Sequence, residues 1–103
     1  MFARMTKITD LGADVDRSVQ TVRDQVIPRV KDLDGYQGFI GLVDRDAGTF
    51  MSFTLWESEQ AMRASEDAAN QLRSGVAKQF TTQEPKVKRF EAVILEVPST
   101  VSV

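Results

Sequence analysis

The stretch Tyr36-Gln37-Gly38-Phe39-Ile40-Gly41-Leu42-Val43, Asp44-Arg45-Asp46-Ala47-Gly48, Thr49-Phe50-Met51-Ser52-Phe53-Thr54-Leu55-Trp56-Glu57 decides how this chain is read. Two runs rich in aromatic and β-branched residues flank a polar loop that ends in Gly48. That is the signature of a β-hairpin, with Gly48 supplying the positive φ such loops need. Ser58-Glu59-Gln60-Ala61-Met62 follows at once. Ser58 can accept a backbone N–H as an N-cap, and Glu59 falls at the positive end of a helix dipole.

Downstream, the helical signal has a seam. Residues 58–64 form one short amphipathic piece. Ser65-Glu66-Asp67 reads as a second N-cap with acids in its first turn, and Ala68, Ala69, Leu72, Val76 and Phe80 carry an apolar stripe to about Gln79. Two abutting helices are expected. Thr81 to Lys86 is a loop, and Val87 to Val97 is the last strand, stopped by Pro98. The tail from there to Val103 is expected to fray.

Upstream, Phe2 to Ile8 is a first strand with no cleanly polar face, which suits a central position. Helix one runs from about Ala13 to Asp32. Val15, Val19, Val22, Val26, Val30 and Leu33 step by three or four residues along one face. Pro28 has no N–H to offer Asp24, so a kink or break is expected near Ile27. Gly35 then closes the element as a C′ residue.

The order strand, helix, strand, strand, helix, strand predicts an α+β fold. It is the ferredoxin-like split βαβ arrangement (βαββαβ), a single domain over residues 1–103. Its four-stranded antiparallel sheet has the spatial order 4-1-3-2, with the helices on one face. The third strand places Met51, Phe53 and Leu55 on one parity and Phe50, Ser52, Thr54 and Trp56 on the other. Neither side suits water. An apolar sheet face of this size marks an interface, and a homodimer packed sheet against sheet is its simplest cover.

Composition removes several function classes. The 103 residues contain no Cys and no His. Disulfides, thiolate or imidazole metal sites, Ser-His-Asp chemistry and a His-ligated haem therefore have no residues to rest on. A net charge of -2 with scattered basic residues argues against nucleic acid as a partner. No apolar run reaches the roughly 18 residues of a membrane span, and no signal-peptide pattern opens the chain, so a cytoplasmic location is expected. Asp44, Arg45 and Asp46 read as a solvated loop rather than a metal site.

With Pro28 late in helix one, Gly35-Tyr36-Gln37-Gly38 opening the second strand, and Leu55-Trp56-Glu57-Ser58-Glu59-Gln60-Ala61-Met62, the chain resembles the dimeric α/β-barrel superfamily. The resemblance is in particular to antibiotic-biosynthesis-monooxygenase-like domains. The resemblance implies a homodimer whose two sheets form a barrel, with a ligand cleft in each subunit between sheet and helices. It implies one of two chemistries: oxygenation of polycyclic phenols without a cofactor, or oxidative haem breakdown. In the haem-degrading branch a Trp at the end of the third strand meets the ligand, and Trp56 matches it. The His that ligates iron there has no counterpart here, so no cofactor is expected.

Candidate substrate-binding residues follow from strand parity. Trp56 offers a flat wall for a planar aromatic ligand and an indole N–H to donate; its alternative role is a core aromatic at the strand-to-helix corner. Ser52 and Thr54 share its face, and Arg4 and Thr6 on the neighbouring first strand join them if register allows. Arg4 either holds an anionic phenolate or carboxylate, or is paired structurally with Glu91 or Glu96. Tyr36 is a possible hydrogen-bond donor. No catalytic residue and no metal ligand is identified. Two further functions compete with the oxygenase: a non-catalytic ligand-binding or accessory dimer, and a protein whose pocket has closed.

Overall fold

The computed structural model describes residues 1–98, so the tail expected to fray, from Ser99 onward, lies outside them. The strands are β1 (Phe2–Ile8), β2 (Tyr36–Asp44), β3 (Thr49–Trp56) and β4 (Lys86–Glu91). They form one antiparallel sheet in the order β2-β3-β1-β4, the expected arrangement. β2 pairs through the hairpin, with an irregularity between Tyr36 and Gly38 that leaves Gln37 without a partner of its own. At the turn, Asp44 accepts the Ala47 N–H at 3.1 Å, and Gly48 takes φ +64°.

The first helical region is built in pieces. A short 3-10 turn, Gly12–Asp14, leads into α1 (Val15–Thr21); a π turn, Val22–Val26, then leads into α2 (Ile27–Val30). The break expected near Ile27 thus takes the form of a widened turn just upstream of Pro28. The Ile27 N–H reaches back five residues to Val22 O. Inserting one residue in the turn removes the need for the N–H that Pro28 lacks, and shifts its ring off the preceding carbonyl. The helices end at Val30, two residues short of the expected boundary.

Behind the hairpin, α3 (Glu59–Ala64) and α4 (Glu66–Phe80) are separate helices, as the seam suggested. Ser58 is extended, and its Oγ accepts the Ala61 N–H at 3.1 Å. Ser65 departs from its expected capping role. Its backbone is helical and it makes no cap bond; its Oγ donates instead to Met62 O at 2.6 Å.

The last strand is shorter than the expected Val87–Val97. It stops at Glu91, opposite Phe2, and the Ala92 N–H makes one more bond, to Met1 O. Beyond that pair no strand of this sheet lies alongside, so residues 92–98 leave it. Their apolar side chains are uncovered: Ile94 is 85% exposed, and Val93, Leu95 and Val97 are more than half exposed.

Paired residues of antiparallel strands point to the same side of a sheet. The helix-covered side therefore carries Phe2, Arg4, Thr6 and Ile8 of β1 beside Trp56, Thr54, Ser52 and Phe50 of β3. Two core clusters lie under the helices. One centres on Ile8, Val15, Val22, Phe50 and Val76, the other on Val30, Trp56 and Met62. The opposite side carries Met51, Phe53 and Leu55, with Ile40 and Leu42 of β2 and Phe90 of β4. Ile40, Leu42 and Phe90 are exposed.

Candidate functional site

Between the sheet and the helices lies a narrow cavity of about 50 Å³. Its helix walls are apolar, from Val22, Val26 and Val30 on one side and Ala69, Leu72 and Val76 of α4 on the other. Its sheet floor is mixed. Phe39, Phe50 and Ile8 are apolar, while Thr6, Ser52, Thr54 and Arg4 bring polar groups to it, and Arg73 of α4 closes one end. The register sets the four polar floor residues side by side, since Thr6 pairs with Ser52 and Arg4 with Thr54. Four of the six sequence-derived candidates, Arg4, Thr6, Ser52 and Thr54, therefore line this cavity.

Trp56 and Tyr36 do not line it. Trp56 is 0% exposed, and its indole N–H is spent on Thr54 Oγ1 at 2.9 Å. The Arg4 guanidinium lies over the indole, 5.4 Å from the ring centroid, and Tyr36 meets it edge-on at 6.0 Å. Its place as a ligand wall is corrected to the core of the strand-to-helix corner. Packed between Met62, Val30 and Arg4, the ring has no free face. Tyr36 sits beside it, and burial raises the pKa of its phenol.

Arg4 is the best-buried charge described, only 2% exposed. The expected pairing with Glu91 or Glu96 does not occur, because register puts Phe2 opposite Glu91. Its partner comes from the helical layer instead. Arg4 Nε and Nη2 donate to Glu66 Oε2 at 3.2 and 2.9 Å, and Nη2 also donates to Met62 O and Ser65 Oγ at 2.6 and 2.7 Å. This explains the odd role of Ser65: it serves the guanidinium rather than the helix end. Burial lowers the Arg4 pKa, and the Glu66 charge and hydrogen bond offset part of that.

Glu66 carries more than one cation. Arg89 of β4 donates to both of its oxygens, through Nε at 3.3 Å and through Nη2. Arg73 Nη2 reaches Oε1 at a long 3.5 Å. Burial of the Glu66 carboxyl raises its pKa, but the Arg89 hydrogen bond and the Arg4 and Arg89 charges outweigh this, and the net shift is downward. Arg73 is 12% exposed, and its Nη1 has no hydrogen-bond partner among the described residues. Arg73 and Glu66 were not legible as site residues in the sequence. Glu66 reads there as an ordinary first-turn acid and Arg73 as one of 13 scattered basic residues. The two share one face of α4, seven residues apart, and only the tertiary approach of β1 and β4 brings Arg4 and Arg89 to them.

Comparison with solved structures matches this fold over nearly the whole chain. The Streptomyces coelicolor monooxygenase ActVA-Orf6, crystallised with nanaomycin D, superposes with a TM-score of 0.75 over 95% of this chain and 92% of its own, at 19% identity. SnoaB, a cofactor-independent oxygenase from Streptomyces nogalater, gives 0.69 over 91% and 94% at 14% identity. Rv0793 from Mycobacterium tuberculosis gives 0.66 over 93% and 98% at 18% identity. Among curated proteins, two uncharacterized Mycobacterium tuberculosis proteins are similar. Rv2558 is 36% identical over 95 residues and Rv2557 34% identical over 91 residues. The aligned regions cover 92% and 88% of this chain but 40% of each relative, so the chain spans about two fifths of their length. No family model matches the chain. The fold is that of the antibiotic-biosynthesis-monooxygenase-like proteins. No helix among the described residues is long and apolar enough to cross a membrane.

Proposed function

We propose that this chain, folded like the antibiotic-biosynthesis monooxygenases, is a homodimeric oxygenase that works without a cofactor on a phenolic aromatic molecule held between sheet and helices. The observation that carries the reading is the make-up of the cavity: valine and leucine walls set against a floor bearing hydroxyls and a guanidinium. The walls suit an aromatic ring and exclude water. Thr6, Ser52 and Thr54 supply hydroxyls to orient an oxygen substituent. Cationic Arg4 and Arg73 favour an ionised phenol over a neutral one, because a positive charge nearby stabilises the anion. An electron-rich phenolate can itself give electrons to dioxygen. Conversion of a ring methylene to a carbonyl by one O₂ releases one water and needs no other oxidant. The chain's part is to bind, to favour the ionised form and to keep water out.

The uncovered sheet face supports the dimer. Ile40, Leu42 and Phe90 stand exposed on it, and residues 92–98 carry further apolar side chains past the sheet edge. A second copy applied to this face buries them.

The cavity's size favours a second reading. At about 50 Å³ it admits a few waters, whereas ligand pockets run to several hundred Å³. A ring enters only if the helical layer moves off the sheet. A dimer that keeps this cavity closed is an accessory or structural protein of the same fold. Oxygen consumption separates the two. Uptake above the uncatalysed rate with one of a panel of naphthols and anthrones, abolished by Ala69→Leu, is the expected outcome. No uptake with any of them, from a folded dimer, leaves the accessory reading.

A further inference from the structure

Three guanidiniums, of Arg4, Arg73 and Arg89, share the single carboxylate of Glu66. Three cations against one anion leave two positive charges over; Arg89 reaches solvent, while Arg4 and Arg73 are held away from it. They are not equally engaged. Arg4 is bonded to Glu66, Ser65 and the Met62 carbonyl, and Arg89 bonds both Glu66 oxygens. Arg73 is the poorly satisfied one. Among the described residues its one hydrogen bond is the 3.5 Å contact to Glu66, and its Nη1 is buried with no partner. A buried donor on a cation left unbonded is costly, and a positive excess adds to that cost.

The position of Arg73 says what would satisfy it. It lines the inner cavity, and it also lines a larger polar groove of about 670 Å³ between α4, the 81–85 loop and β4. It thus stands at the wall between an apolar slot and a polar, solvent-reached groove. A molecule that admits its ring by moving the helical layer off the sheet uncovers Nη1 as well, and an acidic group on it at that wall meets both. Guanidinium presents two parallel N–H groups that match a carboxylate's two oxygens. We propose that Arg73 is an anion seat, and that the ligand of the sheet–helix cavity is an aromatic carboxylic acid whose carboxylate docks on Arg73 Nη1. Arg4 and Arg89 are positioning residues in this scheme. They hold Glu66, so its charge is already shared and leaves Arg73 for the ligand.

The inference rests on the cavity being the ligand site, and the experiment separates the two. Salicylate and salicylamide have the same shape and differ in charge. Each is titrated calorimetrically into the folded protein at low ionic strength, with wild type, Arg73→Gln, Arg73→Lys and Arg89→Gln. Thermal melts confirm folding of each variant; Arg73→Gln removes one unpartnered buried donor and one long contact while Arg4 and Arg89 stay on Glu66, so it is expected to melt close to wild type. Salicylate should bind wild type at least tenfold more tightly than salicylamide. Arg73→Gln should erase that preference without weakening salicylamide, Arg73→Lys should keep part of it, and Arg89→Gln should keep most of it. Equal binding of the two compounds overturns the anion seat alone. A preference lost in Arg89→Gln but kept in Arg73→Gln moves the anion to the surface and overturns the assignment. Binding of neither compound overturns the seat and the ligand-site reading together.

Discussion

At the scale of single residues the decisive pair is Arg4 and Glu66. Arg4 is nearly inaccessible and Glu66 is 28% exposed, so removing the carboxylate strands a buried charge, while removing the guanidinium leaves an acid that Arg73 and Arg89 still hold. Glu66→Gln is therefore expected to destabilise the fold by on the order of 3 kcal/mol, and Arg4→Met by clearly less, since an apolar replacement strands nothing. Chemical denaturation of the two variants checks the order; the reverse order contradicts it. The same pair sets a pH dependence. The Glu66 pKa is lowered on folding, so its stabilisation is present above the ordinary carboxylate value of about 4.3 and is lost as pH falls through the lower folded value. Melting temperatures taken across that acid window should fall more steeply for wild type than for Glu66→Gln. Trp56 belongs to this scale too. A fully buried indole that packs on Arg4, Tyr36 and Met62 leaves a large void when truncated, so Trp56→Ala should cost about 3–5 kcal/mol. A loss under 1 kcal/mol would show that the ring is not the core anchor described.

At the scale of elements, the hairpin and the two-piece helices were legible because their signals are local. Gly48 at a loop end, Ser58 before an amphipathic run and Pro28 inside an apolar stripe each dictate backbone geometry without reference to anything distant. Gly48 shows how tight that geometry is. At φ +64° a Cβ would lie 2.8 Å from the Gly12 backbone nitrogen, and Gly48 O accepts the Leu11 N–H at 2.9 Å. Gly48→Ala should therefore destabilise by more than about 1 kcal/mol, through both the left-handed backbone and the contact. An alanine variant as stable as wild type would mean that the turn and the Leu11–Gly12 segment are free to shift apart. The end of β4 was not legible in this way. Ala92 to Val97 has the composition of a strand, but a strand needs a neighbour, and pairing ends at the Met1–Ala92 bond. The site was half legible for a similar reason. Strand parity grouped Arg4, Thr6, Ser52 and Thr54, while the Glu66–Arg73 face of α4 meets Arg4 and Arg89 only when α4 crosses the sheet. Which of its two roles Trp56 takes was not legible for the same reason: parity says which side of the sheet the ring is on, and the helices decide what covers it.

At the scale of the whole molecule, one side of the sheet is sealed by helices and the other is not. Ile40, Leu42 and Phe90, together with the exposed segment 92–98, account for the proposed dimer. Light scattering at micromolar concentration should return about twice the 11.5 kDa chain mass, and Leu42→Asp should shift it toward one chain. A wild-type monomer would leave the apolar face without its explanation. That dimer and a ligand-accepting cavity on the opposite side of each sheet go together, and one measurement addresses both: a crystal structure of the protein grown with 1-naphthol. The expected result is two copies packed sheet against sheet, each with planar density between β1, β3 and α4, its oxygen near Thr6, Ser52, Thr54 or the Arg4–Arg73 end, and α4 displaced outward to admit it. Naphthol found only on the outer surface, with the cavity still closed at its present volume, would contradict the proposed function.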